Sequence, residues 1–220
     1  MFLIIKNLLT PDDVARLREM ANRMNFVDGK ATNPHSQVKK NEQASYQDPL
    51  ATEAAKLVMQ GFMRSREFND FAIPKIVWPP LLTRTRPGMH YGEHVDAAEI
   101  AVGQQLMRTD VSCTVFLSDP ESYDGGELEA RFGDRSISVK EAAGHAVVYP
   151  SNTPHQVREV TRGERLVAIT FVESRVAERE RRELLYDINE IYALEALKMS
   201  WENRSRLEYV QQNLRRMWLR

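Results

Sequence analysis

The stretch Val111-Ser112-Cys113-Thr114-Val115-Phe116-Leu117 places an aliphatic or thiol side chain at every second position. Successive side chains of a strand point to opposite faces, so this period predicts a β-strand. Working outward, the same period holds between Ile76 and Phe171, and residues 146–149 and 166–172 are further β-rich runs. Short strands at such intervals indicate a β-sandwich or barrel. Glycine-containing turns separate these runs at 124–126, 132–134 and 161–163.

Helices are predicted before this β-core. Thr10-Pro11-Asp12-Asp13 combines a capping hydroxyl, a proline and two acids, which is typical of a helix start. Asp48-Pro49 begins a second helix that runs to about Arg64. The residues between them, Asn25–Gln47, are polar and aperiodic, which indicates either a functional or a disordered loop. We expect this loop to lie over the mouth of a pocket and to become ordered on ligand binding.

Two apolar stripes at helical spacing follow Glu173. We expect both helices to pack on the outside of the β-core, and the remaining apolar surface suggests a homodimer through them. The chain is thus predicted to comprise N-terminal helices and loop (1–75), a β-core (76–174) and a C-terminal helical extension (175–220). The first stripe contains Leu184, Ile188, Ile191 and Leu194, and the second contains Leu207, Val210, Leu214, Met217 and Trp218.

The composition excludes several classes of protein. The 220 residues carry 30 Lys and Arg against 31 Asp and Glu, so a net charge of −1 provides no global field for nucleic acid or an anionic membrane. The apolar start is interrupted by Lys6, and no run approaches the length of a membrane span. We therefore expect a cytoplasmic protein. The single cysteine, Cys113, excludes an internal disulfide and a Cys-cluster zinc site, so any metal must use His and carboxylates.

Three residues form a candidate metal site. His94-Val95-Asp96 lies in an extended stretch, where side chains two apart share a face and could bind one metal. His155 follows another predicted strand. Two His and one carboxylate form the facial triad of non-haem Fe(II) oxygenases, which leaves coordination positions open. By itself, however, a His-x-Asp triplet is more often a surface His beside an acid.

Arg165 strengthens this interpretation. It lies ten residues after His155, at the start of the apolar stretch 166–172. A guanidinium held there could form a forked pair with a carboxylate inside the barrel. The alternative is an ordinary arginine at the end of a turn.

With these residues in place, the sequence resembles the Fe(II)/2-oxoglutarate dioxygenases of the prolyl-hydroxylase superfamily. It is most similar to the bacterial PKHD-type hydroxylases, and the resemblance covers nearly the whole chain. The motifs are Asp28-Gly-Lys-Ala-Thr32, Val38-Lys-Lys-Asn-Glu-Gln43, Arg108-Thr-Asp-Val-Ser112, Phe116-Leu-Ser-Asp-Pro120, Tyr123-Asp-Gly-Gly-Glu-Leu128, Tyr149-Pro150, Val160-Thr-Arg-Gly163 and Gln212-Asn-Leu-Arg-Arg-Met-Trp218.

The resemblance implies a double-stranded β-helix, or jelly-roll, core and a hydroxylase that uses Fe(II), 2-oxoglutarate, O2 and L-ascorbate. His94, Asp96 and His155 would hold the iron, and Arg165 would bind the distal carboxylate of 2-oxoglutarate. The reaction would release succinate and CO2. Two positions depart from the family pattern: Thr85 stands where a tyrosine is expected, and His145 where an aspartate is expected.

The expected substrate is a protein side chain or a small metabolite. Two alternatives remain open at this point. One is a nucleic-acid dealkylase of the same chemical class, which the net charge and the spacing from His155 to Arg165 disfavour. The other is a jelly-roll sensor that binds Fe(II) and 2-oxoglutarate without turnover.

Overall fold

A computed structural model describes all 220 residues. The helices are α1 (Pro11–Arg23), α2 (Pro49–Arg64), α3 (Arg66–Ala72), α4 (Arg179–Glu195) and α5 (Trp201–Trp218). The strands are β1 (Leu3–Ile5), β2 (Phe26–Asp28), β3 (Lys39–Lys40), β4 (Glu42–Ala44), β5 (Pro74–Val77), β6 (Leu81–Thr85), β7 (His90–His94), β8 (Glu99–Val102), β9 (Gln105–Arg108), β10 (Val111–Phe116), β11 (Asp124–Gly125), β12 (Leu128–Phe132), β13 (Arg135–Val139), β14 (Ala146–Pro150), β15 (His155–Val157), β16 (Val160–Arg162) and β17 (Arg165–Ser174). Short 3-10 helices cover Gly29–Thr32, Pro120–Ser122 and Ala196–Lys198.

Two antiparallel sheets build the β-core. The large sheet has the order β1-β14-β10-β17-β6-β4-β2, with β5 also paired to β17. The smaller one has the order β13-β12-β15-β7-β3. The stretch at residues 111–116 is a central, fully buried strand of the large sheet, paired on both sides. The predicted β-core with flanking helices is confirmed.

The N-terminal helices begin where the sequence predicts. Thr10 caps α1 with a reciprocal capping box to Asp13, and Asp48 caps α2 by accepting a hydrogen bond from the Leu50 amide. Both helices bury their apolar faces with the large sheet in one core cluster, which includes Leu17, Val58 and Cys113. No helix in the structure combines the length and the apolar character needed to cross a membrane.

The polar segment Asn25–Gln47 is more ordered than its composition predicts. It contains β2 and β4, which extend the large sheet from β6, and β3, which pairs with β7 at the edge of the smaller sheet. These strands have only two or three residues, so no apolar period marks them. The division of the chain at residues 75 and 174 stays a prediction.

The C-terminal helices do not pack as their stripes predict. Helix α4 buries Leu185, and Tyr186 contacts the Phe71 ring of α3 at 5.4 Å between centroids. Leu184 and Leu194, which belong to the predicted stripe, are 56% and 65% exposed. The physical reason is that α4 packs against α3 through the face that carries Leu185 and Tyr186, which is offset by about one residue from the predicted stripe. The predicted stripe of α5 is divided, with Leu214 and Trp218 packed against the Leu185 cluster and Val210 and Met217 exposed.

Candidate active site

Strand pairing brings the two predicted histidines together. His94 is the last residue of β7, His155 is the first of β15, and the two are direct cross-strand partners. Their side chains therefore lie on the same face of the smaller sheet. Asp96 follows two residues after the end of β7. One ligand atom from each of the three residues lies within 4.8 Å of the others.

Backbone carbonyls fix the orientation of both imidazoles. The Nδ1 of His94 is 2.8 Å from the Gly92 carbonyl oxygen, and the Nδ1 of His155 is 2.9 Å from that of Thr153. A carbonyl only accepts, so each Nδ1 carries the hydrogen and each Nε2 presents a lone pair. Both Nε2 atoms lie 3.8 Å from Oδ1 of Asp96. Such hydrogen bonds to the far side of the ring are the usual support of metal-ligating histidines.

The carboxylate is held from the large sheet. Ser112 on β10 donates a hydrogen bond to Oδ2 of Asp96 at 2.6 Å, and its oxygen is 2.8 Å from the Ser151 hydroxyl. This contact engages one carboxylate oxygen and leaves Oδ1 directed at the two imidazoles. Ser112 of the large sheet thus positions the Asp96 side chain, which lies beyond the end of β7 in the smaller sheet.

The surroundings of His94 favour a neutral ring. Burial and the neighbouring His155 lower the pKa of His94 to about 4, against the smaller raising effects of Gly92 and Asp96. The Tyr91 ring stacks on the His94 imidazole with 3.6 Å between centroids and 12° between planes. Two imidazoles and a carboxylate, with no thiolate, are a donor set that fits Fe(II).

Arg165 is a buried cation without an anionic partner. It begins β17, is 3% exposed, and no carboxylate lies within ion-pair distance of it. Its Nε lacks any hydrogen-bond partner, and the groups that act on its charge are the phenols of Tyr123 and Tyr149 and, beyond ion-pair distance, the Glu127 carboxylate. Burial lowers its pKa, although a guanidinium remains charged at any ordinary pH. A buried, unpaired charge is costly, so this geometry fits a ligand that brings a carboxylate.

The turn Asp124-Gly125-Gly126 lies beside Arg165 and requires glycine at both of its last two positions. Both have positive φ, at 73° and 68°. A Cβ on Gly125 would lie 1.9 Å from the Glu159 carbonyl oxygen, and one on Gly126 would lie 2.9 Å from Cδ of Arg165. The absence of side chains here lets the turn pack directly on the arginine.

One cavity of about 510 Å³ joins these groups. His94, Asp96, His155 and Arg165 all line it, as the sequence analysis predicts for a shared pocket. One part of its wall is polar, and it is formed by Thr32, Asn33, Lys39 and Asn41 of the segment before β4. Another part is apolar, with Trp78, Val95, Ala97, Ile100, Leu128, Ile169 and Phe171.

Comparison with known proteins identifies the family. A PKHD-type hydroxylase of Sphingopyxis alaskensis is 49% identical to this chain over 221 residues, which cover all of both chains. The chain belongs to the PKHD-type hydroxylases. The family model of the 2OG-Fe(II) oxygenase superfamily matches residues 80–173 of this hydroxylase. Its enzyme class is therefore that of a 2-oxoglutarate-dependent dioxygenase, as the resemblance predicts.

Comparison with solved structures identifies the fold. A prolyl-4-hydroxylase of Pseudomonas putida aligns with a TM-score of 0.56 at 20% identity, over 78% of this chain and 92% of that one. A prolyl hydroxylase from Trichoplax adhaerens, in complex with a hypoxia inducible factor peptide fragment, aligns with a TM-score of 0.59 at 13% identity, over 84% and 86%. The jelly-roll core of this PKHD-type hydroxylase is thereby confirmed.

The two departures from the family pattern lie in different places. Thr85 is buried in the cavity wall and is the β6 partner of Arg165 in the sheet register. A threonine there leaves room that a tyrosine would fill. His145 does not line the cavity, and its Nδ1 lies 3.3 Å from the Glu141 carboxylate just before β14.

No role is predicted from the sequence for Ser112 or for three polar side chains of residues 39–43 in this PKHD-type hydroxylase. Ser112 lies in the alternating stretch of β10. A small polar residue in a buried strand needs a hydrogen-bond partner, and this requirement is the sequence signal for its role. Lys39, Asn41 and Gln43 occupy every second position of a short segment, and the first two line the cavity. This period of two was hidden by the surrounding polar residues.

Proposed function

We propose that this protein hydroxylates a protein side chain or a small metabolite, with Fe(II), 2-oxoglutarate and O2, and releases succinate and CO2. The observation that supports this most directly is the triad of His94, Asp96 and His155 opening into the same cavity as the unpaired guanidinium of Arg165. A metal ligand set and a carboxylate-binding group in one cavity fit a co-substrate that needs both.

Each residue of the site would have a separate task. His94, His155 and Oδ1 of Asp96 would hold Fe(II), while Ser112 keeps the carboxylate in place. Arg165 would orient 2-oxoglutarate by binding its distal carboxylate. Bound Fe(II) would supply the activation of O2, coupled to oxidative decarboxylation of the co-substrate.

The cavity wall contributes by excluding water. Leu128, Ile169 and Phe171 line it beside the polar groups, and strands β10 and β17 of the large sheet are largely buried. A recessed, partly apolar site from which bound ligands displace water strengthens the electrostatic contacts inside it and limits side reactions with solvent. L-ascorbate as an accessory reductant and a cytoplasmic location are further parts of the proposal, and both rest on the family resemblance and the composition.

The partner we propose besides the substrate is a second copy of this chain. The exposed apolar side chains of the C-terminal helices support it, since Leu194, Leu197 and Trp201 are 65%, 90% and 72% exposed in one continuous stretch. Light scattering across micromolar concentrations tests this, and a monomer throughout would contradict it. Nucleic acid and membranes are not among the proposed partners.

The test of the function is a search for its product. Cell extract is incubated with the protein, Fe(II) and 2-oxoglutarate, and products heavier by one oxygen atom are sought by mass spectrometry while succinate is quantified. The matched control is Asp96→Ala, which removes one candidate ligand. Succinate and oxygenated product that depend on Asp96 support the proposal. Binding of Fe(II) and 2-oxoglutarate without succinate release would favour the sensor instead.

A further inference from the structure

Lys39 is a second buried cation in the cavity wall. It is 7% exposed and lines the cavity with Thr32 and Asn41. Its Nζ donates a hydrogen bond to Oγ1 of Thr32 at 2.9 Å and lies 5.4 Å from the centroid of the Tyr91 ring. No carboxylate lies within ion-pair distance of this ammonium. The nearest acidic groups, Asp28 and Asp96, act on it only at longer range.

The neighbours of Lys39 satisfy only part of the hydrogen-bonding capacity of its ammonium group. An ammonium has three N–H donors, and Thr32 accepts only one of them. The Tyr91 ring adds a cation–π contact, which replaces part of the lost hydration. Burial nevertheless lowers the pKa of Lys39 to about 8, because these contacts do not compensate for water. A positive group with free donors therefore remains in the wall of the cavity.

The position of Lys39 connects it with the candidate metal centre. Strand β3 pairs with β7 so that Lys39 is the direct partner of Tyr91. The Tyr91 ring contacts the ammonium and also stacks on the imidazole of His94. One aromatic side chain thus separates Lys39 from a candidate metal ligand.

The segment around Lys39 is built to hold it there. Thr32 donates its hydroxyl hydrogen towards Oε1 of the buried Gln43 at 2.7 Å, which leaves its lone pairs for the ammonium. Asn41 packs so closely on Gly29 that a Cβ there would lie 1.9 Å from the Asn41 Oδ1. Lys40, on the other face of the same strand, is exposed. A lysine that served only solubility would point the way Lys40 does.

We propose that Lys39 is a second anion-binding group of the cavity, which takes a carboxylate or phosphate group. This rests on the proposed function, in which Arg165 holds the distal carboxylate of 2-oxoglutarate. Two sources of the anion share this chemistry. One is the carboxylate of 2-oxoglutarate nearest the metal, and the other is an acidic group on the primary substrate.

The experiment compares Lys39→Met and Lys39→Arg with the wild-type protein and with Lys40→Met. The last variant is the matched control, because it removes the same charge one residue away on the exposed face. All four proteins are loaded with Mn(II), and 2-oxoglutarate affinity is measured by isothermal titration. The relaxation of the ³¹P signal of methyl phosphate is then measured with 2-oxoglutarate saturating, so that the paramagnetic ion reports phosphate bound near it.

Lys39→Met should weaken one of these two interactions about tenfold or more, as expected for a lost charged hydrogen bond. Lys39→Arg should retain much of it and Lys40→Met all of it. A fall in 2-oxoglutarate affinity assigns the anion to the co-substrate. A loss of phosphate relaxation at unchanged 2-oxoglutarate affinity assigns it to the substrate.

The proposal is overturned if Lys39→Met matches the wild type in both measurements, even when its thermal stability falls, because the lysine would then be structural. It is also overturned if Lys40→Met has the same effect as Lys39→Met. A wild-type protein that binds no Mn(II) would contradict the proposed function first, and the role of Lys39 would fall with it. If the wild type binds Mn(II) and 2-oxoglutarate normally and Lys39→Met changes neither measurement, only the proposed role of Lys39 is contradicted, and the proposed function stands.

Discussion

His94, Asp96 and His155 present their ligand atoms within 4.8 Å of one another before any ion is considered. Substitution of any one by Ala leaves two protein ligands, which is too few to hold a divalent ion in a site with several open positions. We expect each single variant to lose stoichiometric binding of Fe(II), and of Mn(II) as its stand-in in air. Metal analysis after gel filtration measures this. A triple variant that still binds one equivalent would place the metal elsewhere.

Ser112 acts on the metal only through Asp96, so its removal should have a graded effect. Ser112→Ala deletes the 2.6 Å hydrogen bond to Oδ2 and should lower metal affinity about ten- to a hundredfold. Titration with Mn(II) followed by electron paramagnetic resonance checks this. The control is Ser65→Ala, which deletes the cap of α3 and should reduce stability without changing metal affinity. Equal metal affinity in both variants would contradict the role of Ser112.

Arg165 should be irreplaceable by lysine. Arg165→Lys retains a positive charge but loses the forked geometry, and a lost charged contact costs about 1.5–3 kcal/mol. We therefore expect 2-oxoglutarate affinity to fall roughly 10- to 150-fold, by isothermal titration, while metal affinity is unchanged. If the Lys and Ala variants bind 2-oxoglutarate as the wild type does, the arginine is not part of the co-substrate site.

At the scale of elements, the segment between β2 and β4 is a solvent-exposed part of the cavity wall. Thr32 and Asn33 line the cavity, whereas residues 34–38 are mostly exposed. Saturating Mn(II) and 2-oxoglutarate should slow hydrogen exchange in residues 33–38 at least severalfold, since ligands on one side restrict their opening. The turn at Gly133 is equally exposed, does not line the cavity and should not change. Unchanged exchange in both regions would make the segment a simple connection.

The sequence allowed prediction of elements whose local signal agreed with their burial. The strand at residues 111–116 and the capped starts of α1 and α2 are of this kind. Strand β3 could not be predicted, because a two-residue strand exists only through its pairing with β7. The buried face of α4 was missed for a related reason. Leu184 and Leu185 are adjacent and equally apolar, and only contact with α3 decides which is buried.

The candidate metal site could be predicted as a set of residues but not in its geometry. The spacing of His94 and Asp96 suggests a shared face, while His155 is 59 residues further along the chain and meets them only through the register of β7 with β15. The hydrogen bond from Ser112 and the proximity of Lys39 to Tyr91 depend on how two sheets and an edge strand come together. These contacts are long-range, so no local pattern in the sequence encodes them.

For the whole molecule, the C-terminal extension is tied to the core by a buried arginine. Arg182 of α4 is 5% exposed and donates a hydrogen bond to the carbonyl oxygen of Asp110, just before β10, at 3.4 Å. Leu185 packs with Ile73 and Val176 in a separate apolar cluster. Truncation after Ser174 removes both contacts and exposes apolar surface, so it should give aggregated protein. Gel filtration measures this, and a soluble, fully active 1–174 fragment would contradict it.

The closed geometry of residues 29–41 has a consequence for how this scaffold can change. The Gly29 amide donates to the Asn41 carbonyl oxygen at 2.8 Å, so the two ends of the segment meet. The segment supplies Thr32 and Lys39 to the cavity wall but none of the candidate metal ligands. Insertions and exchanges are best tolerated in loops whose ends already lie together. We expect residues 30–40 to be exchangeable as a unit, so that a different segment grafted between Gly29 and Asn41 would alter the cavity wall while His94, Asp96 and His155 keep their positions.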